Sequence, residues 1–355
     1  MTLIPNPKKP FSDGLIQFVE RAVTAPSADN SQPWEFAVDQ DKIVCRYQHT
    51  GNTQDPFGAN GHGTIIAAGA LHQNIDDLLS CYELPASNVT YQPEWKISFL
   101  APPTQVSSND SISALLNRHT NRHPFASISP LATEGLPPSP FGKSRLTRLH
   151  KKSDINTISE AVRLCSEARF NSQDLHEWLF SSLRWTPETV NQGDGLDLKT
   201  IALPPGGRQF MSFIAPWTRM RFLNRFGMYK ALAIADSQPV KQASCMLAIV
   251  GGKAVDEIWE AGQHLQQIWI ELNRRGLAVH PYYAVTDLSN RLESGRLNTH
   301  WTKQVANVQK QMVELLRLEK NEQLHMLLRV GLPTIQPVRS KRKQTLEFLK
   351  QGIQM

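Results

Sequence analysis

The sequence predicts an α+β protein, on three observations. Helical patterns dominate it. Strand patterns are few and scattered, so no regular βαβ series can be read. No GxGxxG or GxxxxGK[ST] lies between a strand and a helix, which removes both a Rossmann dinucleotide site and a P-loop. With 355 residues, 40% of them hydrophobic and 20% charged, the chain has the composition of a globular protein with a sizeable core.

Taken in order, residues 14–24 place Leu15, Phe18, Val19 and Ala22 at helical spacing, and Pro26 disfavours helix at Ala25. A polar loop, 27–31, follows. Residues 34–38 and 42–48 read as a hairpin about Asp39-Gln40-Asp41. Residues 51–62, rich in Gly, Asn and Asp, read as loop. Residues 63–82 carry Ile65, Ile66, Ala68, Leu71, Ile75, Leu78 and Leu79, the stripe of a long buried helix in which Gly69 allows close packing. Residues 89–100 read as one strand. The Pro/Ser-rich stretch 101–109 is the best boundary between two portions of the chain.

Beyond it, 111–117 reads as a short helix, 130–142 as loop, 154–180 as strongly helical and 192–207 as turn-rich. Residues 242–250 form a buried strand closed by Gly251-Gly252. Residues 258–275 form a helix ending at Gly276, with Arg274 and Arg275 well placed in its last turn. Then come an extended segment (279–285), a helix (301–318), a strand entering a turn (326–333), and a basic turn with a last helix (339–349).

The formal net charge of +6 suits anionic ligands, but it is spread over a long chain. No zinc-finger spacing or RNA-binding aromatic motif accompanies it, so nucleic acid is not expected as a partner. Cys45, Cys81, Cys165 and Cys245 form no CxxC and are too few for a disulfide framework. The N-terminus lacks the apolar core of a signal peptide, and the longest apolar run, 245–250, is too short to span a bilayer. The expectation is a reduced, cytosolic protein with no membrane partner.

Three segments can carry chemistry. Arg118-His119-Thr120-Asn121-Arg122 sets two guanidiniums four residues apart about a hydroxyl, a donor set able to surround a phosphate; a solvated basic turn has the same composition. The loop 25–34, APSADNSQPW, is pinned by two prolines and offers Ser27 and Asn30 to the hydrogen-bonding edge of a flat heterocycle; it can equally be a helix-to-strand connection that only closes turns. The basic cluster Arg329, Arg339, Lys341, Arg342 and Lys343 can complete a phosphate site or be a flexible end. No HExxH pair and no GxSxG elbow occurs. His119 and His123 are flanked by arginines that oppose a metal cation. His62, His72 and His280 read as structural, and the tryptophans as core or lid residues.

At these motifs the sequence resembles the nitroreductase superfamily of FMN proteins. Pro26-Ser27-x-x-Asn30-Ser31-Gln32-Pro33-Trp34 is similar to the family's PSxxNxQPW loop. Arg118-His119-Thr120-Asn121-Arg122-x-x-Phe125 is similar to its RRSxRxF phosphate motif, with His for the second Arg, Thr for Ser and one extra residue before Phe125. Gly262-Gln263 through Gly276-Leu277, then Pro281, resembles the helix-then-GL passage beside the flavin ring. Arg329-Val330-Gly331 and 339–342 resemble the terminal RxG strand and its phosphate-reaching tail.

The resemblance implies a central, mostly antiparallel sheet flanked by helices, and one FMN. It assigns Arg118, His119, Thr120, Arg122, Arg339 and Arg342 to the phosphate end. Pro26, Ser27, Asn30 and Gln32 fall to the ring and ribityl chain, and the backbone from Gly276, Leu277 and Ala278 to His280 to the ring edge near N5. The phosphate motif here follows the PSxxN loop by about ninety residues, whereas in ordinary members it precedes it. That order implies a fused, monomeric pseudo-dimer of two unequal halves. Residues 1–110 form an abbreviated half that lends its loop, and residues 111–355 a fuller half that holds the phosphate. Residues 181–230 are the expected lid over the flavin, or a helical insertion packed on the core.

The implied activity is ping-pong reduction of small nitroaromatic or quinone-like acceptors by NAD(P)H, with no acid or base required of the protein. Three other readings stay open at this point: a protein that holds FMN under a lid without turnover, a flavin dehydrogenase acting on a peptide azoline, and a basic binding protein with a vestigial flavin site.

Overall fold

Two long helices, His62–Cys81 and Val255–Arg274, cross at the centre of the molecule, and two glycines set how closely. A Cβ on Gly69 would lie 2.1 Å from the Trp259 carbonyl oxygen, and one on Gly262 would lie 2.2 Å from the Ile66 carbonyl oxygen. The contact is reciprocal: each glycine meets the backbone three residues before the other. Neither glycine could carry a side chain without moving the other helix. The computed structural model describes residues 11–49 and 58–352, so part of the expected loop 51–62 and the first ten residues lie outside the described residues.

The α+β class holds, and the strands form two five-stranded sheets, the first built of four strands from the first portion and one from the end of the chain. The first contains Trp34–Asp39, Lys42–Tyr47, Lys96–Leu100 and Asn88–Thr90, all antiparallel. Its fifth strand is Leu349–Gln351, which runs parallel to Trp34–Asp39 at the sheet edge. The second sheet is antiparallel throughout, in the order Ala278–Tyr282, Glu322–Pro333, Cys245–Gly252, Ser144–Leu149, with Phe125–Ala126 added to the end of Glu322–Pro333.

The strand Cys245–Gly252 is buried along its whole length, which is why it reads as an unbroken apolar run. Its alternation serves two cores. Cys245, Leu247 and Ile249 face a large cluster that draws Phe18, Trp34, Phe36, Leu71 and Ile75 from the first portion and Trp259, Ile268 and Trp269 from the second. Met246, Ala248 and Val250 face a smaller cluster with Ile158, Val162, Val285, Trp301 and Leu327. The larger core is therefore continuous across the two portions.

Several segments differ from their sequence reading. Residues 89–100 are a hairpin, because the chain turns back between Thr90 and Lys96. The expected helix 154–180 is two helices, Lys152–Phe170 and Gln173–Ser182, broken at Asn171 and Ser172. Gly251 and Gly252 continue their strand instead of closing it; a Cβ on Gly251 would meet Lys143 O at 2.9 Å and His325 Nε2 at 3.0 Å. The extended segment after Ala278 stops at Tyr282, and a helix, Ala284–Glu293, begins at once. The basic tail runs from the second sheet at Pro333 to a one-turn helix, Thr345–Phe348, and ends as a strand of the first. Residues 334–344 thus form a strap tied at both ends.

Candidate functional site

The loop after the first helix is strained. Asp29, Asn30 and Gln32 all have positive φ (46°, 58° and 52°), a backbone region that costs non-glycine residues roughly 1 kcal/mol each. Internal hydrogen bonds hold it there. The Ser27 hydroxyl accepts from Gln32 N at 3.0 Å, Asn30 N donates to Ser27 O at 3.1 Å, and Trp34 N donates to Gln32 O at 2.9 Å. The fully buried Gln32 amide donates to Asn30 O and Gly193 O and accepts from Lys343 N.

The guanidiniums converge beside this loop. Arg118 Nη2 and Arg342 Nη2 both donate to the Thr24 carbonyl oxygen, at 2.8 and 2.9 Å, so two cations from segments 224 residues apart share one acceptor. Arg118 is buried, lies over the Trp269 ring at 4.7 Å, and leaves its Nε without a partner. Burial and the neighbouring Arg342 and Arg339 hold its pKa well below the ordinary range, and burial pulls Arg342 down to about 10. Burial also lowers Arg122, against the attraction of Asp29. Among the described residues, no carboxylate lies in ion-pair range of Arg118, Arg122, Arg339 or Arg342. Burying cations without a counter-charge costs several kcal/mol. Such a cluster is compensated by an anion, and it persists in a fold where an anion binds.

These groups face a cavity of about 630 Å³, within the size range of cofactor sites. Pro26, Ser27 and Asn30 line it, as do Arg118, His119, Thr120, Arg122, Arg339 and Arg342. The segment 118–122 is fixed from behind. His119 N donates to Asn273 Oδ1, Trp269 Nε1 to His119 O, and Asn121 N to Val279 O. The hydroxyl of Thr120 has no protein partner among the described residues.

Three placements differ from expectation. Gln32 does not reach the cavity, because its amide is spent on the backbone of residues 30, 193 and 343. Gly276, Leu277 and Ala278 line an adjoining depression of about 490 Å³ with Asn117 and Asn273, which shares His119 and Arg339 with the cavity. Gly276 (φ 74°) turns the chain out of its helix, and along this strand the cavity wall itself runs from His280 to Tyr283. Asn30 lines the cavity but its amide is not free to read a ligand edge. It donates to Gly193 O, Gly195 O and Lys341 O, and accepts from Arg342 Nη1.

Asn30 is instead a clamp on the cover. Leu175, His176, Trp178, Leu179, Phe180, Leu196 and residues 200–204, with Met211 and Ile214, form another side of the cavity, its cover. Trp178 Nε1 donates to Asp29 Oδ2 at 2.9 Å and adds a further tie. The cover therefore starts earlier than 181, and the helix Trp217–Asn224 lies outside it.

Several wall side chains were not among the sequence-predicted site residues. The resemblance assigns the His280 backbone to the flavin ring edge, but the imidazole reads as structural; it lines the cavity, its Nδ1 is buried without a partner, and burial with Arg122 and Arg329 nearby holds its pKa well below the usual value. Trp269, Tyr282 and Tyr283 are others. Arg329 does not line the cavity. Its guanidinium sits 3.8 Å from the Phe125 ring centre and donates to His123 O. Gly331 is the residue that lets Phe125 in, since a Cβ there would lie 2.7 Å from Phe125 Cβ.

No family model matches this chain. Over 326 residues it is 24% identical to an uncharacterized protein of Mycobacterium tuberculosis (strain CDC 1551 / Oshkosh). That match takes in 88% of this chain and 44% of the other, so the chain spans less than half the length of the curated relative it matches. Several solved structures show similarity, three of which follow. A nitroreductase with bound FMN from Bacteroides fragilis NCTC 9343 is 9% identical with a TM-score of 0.32, over 66% of this chain and 96% of that one. An iodotyrosine deiodinase bound to FMN and 3-iodo-L-tyrosine is 13% identical with a TM-score of 0.31, over 65% and 93%. The FMN and NADPH-dependent nitroreductase NfnB of a Sphigopyxis strain is 16% identical with a TM-score of 0.31, over 62% and 87%.

Proposed function

We propose that this chain is an FMN-binding oxidoreductase of the nitroreductase kind, holding one flavin in the 630 Å³ cavity. The observation that carries the reading is the set of guanidiniums, Arg118, Arg122 and Arg342, partly or fully buried without carboxylates on one wall of that cavity. They suit the phosphate, with the Thr120 hydroxyl and Arg339 beside them. The loop 26–30 and the wall from His280 to Tyr283 would hold the ring, and the neutral His280 can donate or accept there as its tautomer allows. Bound FMN would supply two-electron chemistry, taken from NAD(P)H and passed to a small nitroaromatic or quinone-like acceptor. The protein's part is to position the flavin, neutralise its phosphate and keep water out.

The reciprocal packing of Gly69 and Gly262 supports the companion reading that residues 1–110 and 111–355 form a monomeric pseudo-dimer. Only the second portion brings arginines to the cavity, which favours one flavin per chain over two.

Purified protein mixed with excess FMN and desalted tests this directly. A flavin-to-chain ratio of one is expected. A ratio of zero overturns the cofactor assignment, and a ratio of two overturns the unequal halves. Anaerobic mixing of the loaded protein with NADH or NADPH then tests the donor. The clamp of Asn30 and Trp178 on the cover favours a second reading, in which FMN is held without turnover. Flavin that binds at one per chain but stays oxidised under both nicotinamides decides for it.

A further inference from the structure

Between Asp197 and Asp236 the chain has no Asp or Glu but six cations: Lys199, Arg208, Arg219, Arg221, Arg225 and Lys230. The formal net charge of the whole chain is +6, so outside this segment positive and negative residues balance. All six are exposed, and among the described residues none forms an ion pair.

Large apolar side chains stand among them. Phe213, Phe222 and Phe226 are 51%, 55% and 77% exposed, and Ile234 is 54% exposed. The helices Gly207–Ile214, Trp217–Asn224 and Met228–Lys241 each turn one side inward, through Ile214, Met220 and Ala233, and leave the aromatic and basic side outward. Phe222 and Phe226 meet edge to face at 5.4 Å, and Arg219 lies 5.4 Å from the Phe213 ring. Among the described residues nothing else covers these rings.

We propose that this face docks on an anionic lipid surface. Phenylalanines interleaved with Lys and Arg, with acids absent, are the composition of an interfacial membrane-binding element. The rings protrude from two short helices and a turn, and Ile234 from a third helix; they do not line a groove, so they suit insertion between headgroups better than reception of a partner helix. A second copy of the chain would bring the same six positive charges, and repulsion opposes that pairing. The sequence reading expected no membrane partner because it sought a spanning run, and among the described residues no helix is long and apolar enough to cross a membrane. Lying on a bilayer needs no such run.

The test is sedimentation of the full chain with sucrose-loaded vesicles. Mixed phosphatidylcholine–phosphatidylglycerol vesicles are expected to carry the protein down, vesicles of phosphatidylcholine alone to leave it in solution, and added salt to weaken the binding. The double variants Phe222→Ser/Phe226→Ser and Arg221→Glu/Arg225→Glu should each lower partitioning about tenfold or more. These side chains lie off the cavity, so thermal unfolding and FMN content should match the parent. Equal sedimentation with both vesicle types overturns the proposal. So does binding indifferent to both variants, or a dimer that dissociates in Phe222→Ser/Phe226→Ser.

Discussion

The two portions of the chain share a plan and divide the chemistry. The first contributes four strands of one sheet and the second the five strands of the other plus the edge strand Leu349–Gln351; each contributes one twenty-residue helix, and the two helices touch through Gly69 and Gly262. Yet the cavity takes a strained loop from one portion and the guanidiniums from the other. The shared plan of sheet and helix does not extend to the charge. A second nest of unpaired arginines would carry the same burial cost and would need an anion of its own.

The sharpest way to break this comparison is to remove the charge from one side. The variant Arg118→Met/Arg342→Met should weaken FMN binding by roughly a hundredfold or more, about 3 kcal/mol or above, as two charge-assisted contacts are lost. The same variant should leave the flavin-free protein as stable as the parent or more so, because two uncompensated cations leave the interior. FMN fluorescence titration beside thermal unfolding reads both, and a fall in both would recast these arginines as structural.

Next comes the helix crossing. Gly262→Leu should cost about 3 kcal/mol, since a side chain must enter a space where even a Cβ lies 2.2 Å from backbone. The loss should appear as one cooperative shift in thermal unfolding, because the core is continuous. Two separate transitions would show that the portions fold independently.

A third handle is the histidine pair that joins the portions. His62 Nε2 lies 3.0 Å from His325 Nδ1, and burial pulls His325 down to about 4 and His62 well below its usual value. A depressed histidine pKa means that the unfolded chain takes up protons first. Stability is therefore full above about pH 6.5 and drains away toward pH 4, by on the order of 2–3 kcal/mol for His325. His325→Gln should flatten that slope in unfolding curves recorded across this window. The smallest effect expected is at the cover. Trp178→Phe removes one hydrogen bond to Asp29, worth about 1 kcal/mol, and should speed flavin release several-fold without changing the flavin-to-chain ratio.

Much of this was legible in the residues because it follows from local rules. The buried strand around Leu247, the helix stopped at Gly276 and the loop 26–34 each announce themselves by apolar run, cap or proline. The arginines were legible as a cluster, but their number at the site was not. Arg329 belongs to a cation–aromatic contact with Phe125, and only the three-dimensional path of the strap brings Arg342 beside Arg118. Asn30 and Gln32 carry the right chemistry for a ligand, but buried backbone carbonyls of residues 193, 195 and 341 claim their amides first. The strand Ser144–Leu149 was invisible because Arg145, Thr147 and Arg148 make it polar, as an edge strand can be. The break at Asn171 gave no breaker signal strong enough to divide a long helical pattern.

The strap has a consequence in time. Translation runs from Asn30 toward Arg342, and 312 positions separate these two hydrogen-bonded partners. A nascent chain can build the first helix and both early sheet hairpins long before that arginine exists. The cavity wall is therefore complete only after Arg342, carried by the strap toward the strand Leu349–Gln351, has joined Thr24 and Asn30. A chain halted in the strap would hold most of both sheets without the guanidinium that ties this wall to the first portion.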